Sequence, residues 1–173
     1  MDLREHIQDI PDFPKPGIVF KDITPLFLHA GALRQAVDDL ADYARSRSAE
    51  YVVSAEARGF VLGGAVAAAA GAGFVLARKP GKLPRDTAAV EYQLEYGVDA
   101  LEVHSDALAG GARVLVHDDL LATGGTAAAL CGLVEQAGAE VVGCAFVIEL
   151  AFLAGRKRLS RYDVRSLVVY AEE

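Results

Sequence analysis

Val114 to Thr126 reads VLVHDDLLATGGT, and its order of residue types decides the fold. The apolar run Val114 to Val116 has the composition of a strand buried on both faces. His117 and two adjacent carboxylates, Asp118 and Asp119, close that strand, and Ala122, Thr123, Gly124, Gly125 and Thr126 lead into a helical pattern from about Gly125 to Ala137. Glycines let backbone N–H groups turn inward around an anion, the two threonine hydroxyls add donors, and the start of a helix adds unpaired amides and a favourable dipole. The carboxylates repel a phosphate, so they suit sugar hydroxyls or balance positive charge developing on a sugar. The stretch is not a GxGxxG nucleotide fingerprint and lacks the lysine of GxxxxGK[ST]. On residue types alone, the aspartate pair also admits a magnesium site or a plain helix cap.

Outward from this stretch, short apolar runs alternate with helical ones. Tyr51 to Ser54 reads as a strand, Gly59 to Ala70 as a helix, Phe74 to Arg78 as a strand and Ala112 to His117 as the strand before the turn. Strands at Val141 to Leu150 and Ser166 to Tyr170, with a short basic helix between them, complete the series. This pattern predicts an α/β fold, a doubly wound and mostly parallel sheet flanked by helices, in one domain spanning residues 1–173. Ligands of such sheets bind beyond the carboxyl ends of the strands, which singles out Ala55 to Gly59, Lys79 to Gly97 and Asp118 to Gly125. The uncharged segment Gly59 to Ala77 approaches the length of a bilayer span, but Gly71 and Gly73 divide it into a buried helix and a buried strand.

Two segments depart from the alternation. Pro11, Pro14, Pro16 and Gly17 make a stiff, non-helical arm before the apolar Ile18 to Phe20, and a helix follows from about Ala32 to Ser46 with Leu33, Ala36, Val37, Leu40 and Tyr43 on one face. Between Lys79 and about Val103, Arg78, Lys79, Lys82 and Arg85 crowd around Pro80, Gly81 and Pro84. Strand-like alternation around Ala89 to Glu95 and Leu101 to Val103 suggests a hairpin flap. Composition fits either a solvated connection or a cationic lid that closes over a polyanion; its place after a parallel strand favours the lid.

The chain has 173 residues, 53% of them hydrophobic, with 17 Lys and Arg against 24 Asp and Glu, for a net charge of -7. A chain of this size buries enough surface to need no structural metal or disulfide, and its acidic balance argues against nucleic-acid or anionic-membrane partners. Cys131 and Cys144 lack a ligand pattern and read as buried thiols of a reduced, cytoplasmic compartment. The N-terminus shows no hydrophobic run of signal-peptide length, so secretion is not expected.

The stretch VLVHDDLLATGGT resembles the phosphoribosyl diphosphate signature of type I phosphoribosyltransferases. The arm PDFPKPGIVFKDITPL at Pro11 to Leu26 resembles the N-terminal hood of the adenine-specific members, and EARGF at Glu56 to Phe60, RKPGKLP at Arg78 to Pro84 and LEYG at Leu94 to Gly97 match the same family in the same order. The resemblance covers nearly the whole chain and implies a hood over about residues 1–31 and a flexible flap over about 79–103. It implies purine salvage by pentosyl transfer: adenine and 5-phospho-α-D-ribose 1-diphosphate give AMP and diphosphate, with Mg2+ as cofactor, in a homodimer.

Residue by residue, the resemblance puts Asp118 and Asp119 on the ribose hydroxyls and Ala122, Thr123, Gly124, Gly125 and Thr126 around the 5-phosphate. Arg58, in a loop with a cis peptide, and Arg78 and Lys82, from the lid, would bind the diphosphate with Mg2+. Val19 and Lys21 would address adenine through backbone groups, with Phe20 packing the hood. Glu95 matches the carboxylate that exchanges a proton near purine N9, or holds water there, with Tyr96 beside it. No residue is assigned as a direct metal ligand. Glu56 stands where relatives often carry Asp, and His117 where a hydrophobic residue is usual; His117 reads as a packed, hydrogen-bonded core residue. Neighbouring alternatives are transfer to xanthine or to hypoxanthine and guanine, a fold relative that binds RNA as a regulator, and a metabolite-binding protein without catalysis.

Overall fold

The computed structural model describes residues 1–93 and 97–172. In chain order it forms β1 (Gln8–Ile10), β2 (Phe20–Asp22), α1 (Thr24–Leu28), α2 (Ala30–Ser46), β3 (Tyr51–Ala55), α3 (Arg58–Ala70), β4 (Gly73–Ala77), β5 (Thr87–Gln93), β6 (Val98–His104), β7 (Arg113–Leu121), α4 (Gly125–Gln136), β8 (Glu140–Leu150) and β9 (Val164–Tyr170). Short 3-10 turns lie at Leu3–His6, Ala151–Leu153 and Gly155–Leu159. The apolar runs pair as one parallel sheet in the order β4-β3-β7-β8-β9. Because the chain moves from β3 to β4 on one side and later to β7 on the other, the loops after β3 and β7 part at the switch point of the sheet.

Alternation along each strand divides the core into two layers. Val53, Val114, Val116 and Phe146 pack with Leu130, Leu133 and Val134 of α4, and with Leu101 and Val103 of β6. Val52, Leu115, Ala145 and Val147 pack on the other face against Ala36 and Leu40 of α2 and Leu62 and Val66 of α3. Gly71, left-handed at φ +75°, caps α3 and separates it from β4. Among the described residues no helix is long and apolar enough to cross a membrane.

Several expected boundaries and faces shift for physical reasons. β7 does not stop at His117: its pairing with β8 continues through Asp118↔Phe146 to Leu121↔Glu149, so the aspartate pair lies within the strand. The buried stripe of α2 consists of Ala32, Ala36, Leu40, Ala41 and Ala44, which leaves Leu33, Val37 and Tyr43 at its margin; small side chains let the helix approach its neighbours closely. The proline-rich arm closes a ribbon, with β1 pairing antiparallel to β2 from Gln8↔Asp22 to Ile10↔Phe20 and a cis Phe13–Pro14 bond in the turn. The strand before the flap ends at Ala77, and Arg78 instead forms a bridge with Glu102 that ties the base of the β5–β6 ribbon to the sheet. The expected basic helix between the last strands is the 3-10 turn Gly155–Leu159.

Candidate active site

The turn after β7 is shaped by backbone contact. Gly124 has φ +83°, and a Cβ on it would lie 2.6 Å from the Gly155 carbonyl oxygen, so conformation and space both require glycine there. Arg58, Asp118, Asp119 and residues 120–127 line a cavity of about 200 Å³. An adjoining cavity of about 430 Å³ adds Glu56, Lys79, Tyr92 and Asp99 and shares Arg58, Asp118, Asp119 and Thr126. A cavity of about 580 Å³ between α2 and the start of β9 lies at the opposite ends of the strands, and its Asp163 already accepts a 2.7 Å hydrogen bond from the Tyr43 hydroxyl and pairs with Arg47.

The two carboxylates differ in their partners. Asp119 is 5% exposed and receives Arg58 Nε at 2.9 Å. Asp118 accepts the backbone N–H of Asp119 at 2.9 Å. Burial, and then the adjacent Asp119 charge, push the Asp118 carboxyl well above the usual carboxylate range. α3 admits this carboxylate only because residue 59 is glycine: a Cβ there would lie 2.7 Å from Asp118 Oδ1.

Around this pair the cations of the site are each held by a carboxylate. Arg58 begins α3, next to a cis Glu56–Ala57 bond, and its guanidinium also lies 5.4 Å from the centre of the Phe20 ring. Glu56 accepts the Lys79 backbone N–H at 2.6 Å and Lys82 Nζ at 2.9 Å, with Arg78 Nε at 3.5 Å. Lys82, and then the Lys79 N–H, hold the Glu56 carboxyl below the usual range. Lys79 pairs with Asp99, which also accepts the Tyr92 hydroxyl at 3.2 Å. Of the cationic cluster read from the sequence, Arg85 turns away to Asp106 and His104 at the flap base.

The N-terminal ribbon reaches the same rim. Val19 and Phe20 are half-buried, and Phe13 meets Phe20 edge-on at 5.2 Å between centroids. The Lys21 side chain is 4% exposed, pairs with Asp9 at 2.9 Å and lies 4.5 Å from the Tyr170 ring centre, so its charge anchors the ribbon to β9. Only its backbone remains for a ligand. Glu95 and Tyr96 lie outside the described residues. Lys79, Tyr92 and Gly59 fall in the loops that the sequence singled out but carried no assigned role there, whereas Asp99 lies beyond those loops and is brought in by the flap register.

Among the described residues no group of three or more His, Cys, Asp or Glu side chains is arranged to hold a metal ion. Mg2+ commonly keeps several waters and is bound by one or two carboxylates plus substrate phosphates. Glu56, Asp118 and Asp119, lining one cavity, fit a cation that arrives on its substrate. The whole rim can therefore take a polyanion on its cations, a phosphate on the turn and a polyhydroxylated ring between them.

A family model described as phosphoribosyl transferase domain matches residues 27–170. The adenine phosphoribosyltransferase of Rubrobacter xylanophilus is 59% identical over 169 residues, covering 97% of this chain and 91% of the relative. The crystal structure of adenine phosphoribosyltransferase from Thermoanaerobacter pseudethanolicus superposes with a TM-score of 0.93 at 49% identity, over 97% of this chain and 98% of that one. The Saccharomyces cerevisiae adenine phosphoribosyltransferase, solved with D-2,5-dideoxy-2,5-imino-altritol 1,6-bisphosphate and adenine, gives 0.91 at 38% identity, over 95% of this chain and 96% of that one.

Proposed function

The chain belongs to the phosphoribosyl transferase domain family, and from that membership we propose that it transfers the phosphoribosyl group of 5-phospho-α-D-ribose 1-diphosphate to adenine, forming AMP and diphosphate. One juxtaposition carries the reaction class: the Asp118–Asp119 pair and the glycine turn share a rim with Arg58 and with Glu56, which holds Arg78 and Lys82. The choice of adenine draws its support from the common name of the relatives at high identity over nearly the full length.

The turn from Ala122 to Thr126 receives the 5-phosphate on its backbone N–H groups, while Asp118 and Asp119 hold the ribose hydroxyls. Arg58, Arg78 and Lys82 bind the diphosphate, each exchanging a carboxylate for phosphate oxygens. The C1–O bond breaks toward diphosphate, and the Asp118–Asp119 pair offsets the positive character left on the ring. Purine N9 forms the new bond to C1 from the opposite side, and its proton passes to Glu95 or to water held there. Mg2+ held with the diphosphate beside Glu56, Asp118 and Asp119 would supply charge neutralisation on the leaving group. The flap excludes water, which is the competing nucleophile.

Backbone groups of Val19 and Lys21 recognise the adenine edge, with donor and acceptor placed oppositely to the needs of hypoxanthine, and Phe20 packs the hood. The working form is a homodimer in the cytoplasm, in which Cys131 and Cys144, buried with their sulfurs 3.7 Å apart and not joined in a disulfide, remain thiols.

Turnover on adenine, hypoxanthine, guanine and xanthine at saturating diphosphate substrate tests the reading, with adenine expected to lead; a lead by any other base refutes it. Replacing both Asp118 and Asp119 by Asn is expected to lower kcat/KM by about a hundredfold or more while the fold survives. Unchanged turnover in that variant would remove the pair from the mechanism.

A further inference from the structure

We propose that Arg156 is a positioning residue for the phosphate turn, acting through Gly155, and that its clamp with Glu149 sets how firmly the turn holds the 5-phosphate; this rests on the function proposed above. β7 and β8 remain paired to Leu121↔Glu149, so Glu149 stands beside the point where the turn departs. It is 3% exposed, and Arg156 donates to its two oxygens from Nε at 2.6 Å and Nη2 at 2.8 Å. The Ser166 hydroxyl donates to Glu149 Oε2 at 2.6 Å, and Arg156 Nη1 donates to the Val164 carbonyl at 3.0 Å. The end of β8, the 3-10 turn and the start of β9 are thereby joined at one guanidinium. Burial opposes ionisation of Glu149, but Arg156 and Ser166 outweigh it and keep the carboxyl below its usual range.

Gly155 is buried immediately before Arg156, and its backbone forms the floor of the turn. A Cβ on Gly124 would meet the Gly155 carbonyl oxygen, and a Cβ on Gly155 would run into the Ala122 carbonyl oxygen. Backbone lies against backbone on both sides, and backbone carbonyls cannot swing aside as a side-chain end can. Ala154, just before it, is held left-handed at φ +55°, a conformation that costs a non-glycine residue about 1 kcal/mol or more and persists where its surroundings impose it. A phosphate bound mainly by backbone N–H groups depends on those groups being aimed before it arrives. The clamp touches no substrate and supplies that aim from beneath. Lysine would keep the charge but lose the planar fork that engages both oxygens of Glu149.

Arg156→Lys and Gly155→Ala are compared with the wild type by steady-state kinetics with each substrate varied, by thermal melts, and by calorimetric titration with ribose 5-phosphate. Arg156→Lys is expected to raise KM for the diphosphate substrate about tenfold, leave KM for adenine within about twofold and leave the melting temperature nearly unchanged. Ribose 5-phosphate binding should weaken by the same factor, and Gly155→Ala should exceed both effects. Equal rises in the two KM values, an unchanged KM for the diphosphate substrate, or loss of the folded state in both variants would overturn the proposal. Wild-type protein that binds ribose 5-phosphate but does not use adenine, with binding still weakened by Arg156→Lys, would refute the adenine assignment and leave the clamp standing.

Discussion

Within β7, neighbouring residues respond to burial in opposite senses. His117 is fully buried, its Nδ1 donates to the Ala145 carbonyl at 2.9 Å, and among the described residues neither its Nε2 nor the hydroxyl of Ser54, its register partner on β3, has a hydrogen-bond partner. The ring is a packed core histidine, as its place at the end of an apolar strand suggested. Burial lowers its pKa to about 4, against the opposing effect of the Ala145 bond. The unfolded chain takes up this proton near pH 6.5, so stability from neutral His117 is complete above that pH and is lost as pH falls toward 4. A shift of this size amounts to about 3 kcal/mol. For Asp118 the raised pKa has the reverse sign: its stabilisation is present below the unfolded carboxylate pKa and is lost as pH rises through the folded value. Subtracting a His117→Val variant from wild type isolates the histidine. Denaturant unfolding at pH 7, 5.5 and 4.5 should show wild type losing stability relative to the variant as pH falls; parallel profiles would contradict a neutral buried ring.

α3 shows how an element can be chosen for closeness over its own stability. Among the described residues no side chain caps its N-terminus, and a Cβ on Gly63 would lie 2.5 Å from the Ser54 hydroxyl, as one on Gly59 would lie 2.7 Å from Asp118 Oδ1. Alanine favours a helix over glycine by up to about 1 kcal/mol, so Gly59→Ala should hold or raise the melting temperature while it drives the Asp118 carboxylate from its place. The expected result is a fall in kcat/KM of about ten- to a hundredfold without loss of fold; full activity would show that Asp118 tolerates displacement. The helix and its stop at Gly71 were legible because period and glycine placement act locally. The β1–β2 ribbon was not, since its three-residue strands gain their pairing from partners across a proline turn. Neither was the extension of β7, which depends on β8 offering backbone groups as far as Glu149. Asp99 joined Lys79 and Tyr92 only through the flap register, which a spacing in the sequence does not reveal.

Across the whole molecule, a net charge of -7 coexists with a rim that gathers Arg58, Arg78, Lys79 and Lys82 and balances them with Asp119, Glu56 and Asp99. The residue types of the turn and of the cationic cluster were readable in the sequence, because the phosphate binding proposed for them calls for glycine, hydroxyls and cations. Which carboxylate holds which cation was not, since Asp119 of β7, Asp99 of β6 and Glu56 before α3 meet their partners only once the chain has folded. Each of these cations is already paired with a carboxylate, Glu56 holding two of them, so a phosphorylated ligand must replace carboxylates as it binds. Such a ligand, selective for the folded state, stabilises it by about 2.7 kcal/mol at a hundred times its dissociation constant. For a chain of this length that corresponds to a rise of about 5–10 °C in melting temperature. AMP should therefore raise the melting temperature well beyond IMP at equal concentration, and the shift should shrink in high salt, which screens the exposed part of the exchange. The ligand-free melting temperature should change little with salt, because partly exposed pairs contribute weakly. Equal shifts from AMP and IMP would refute base recognition by the hood, and no shift from either would refute the phosphate turn itself.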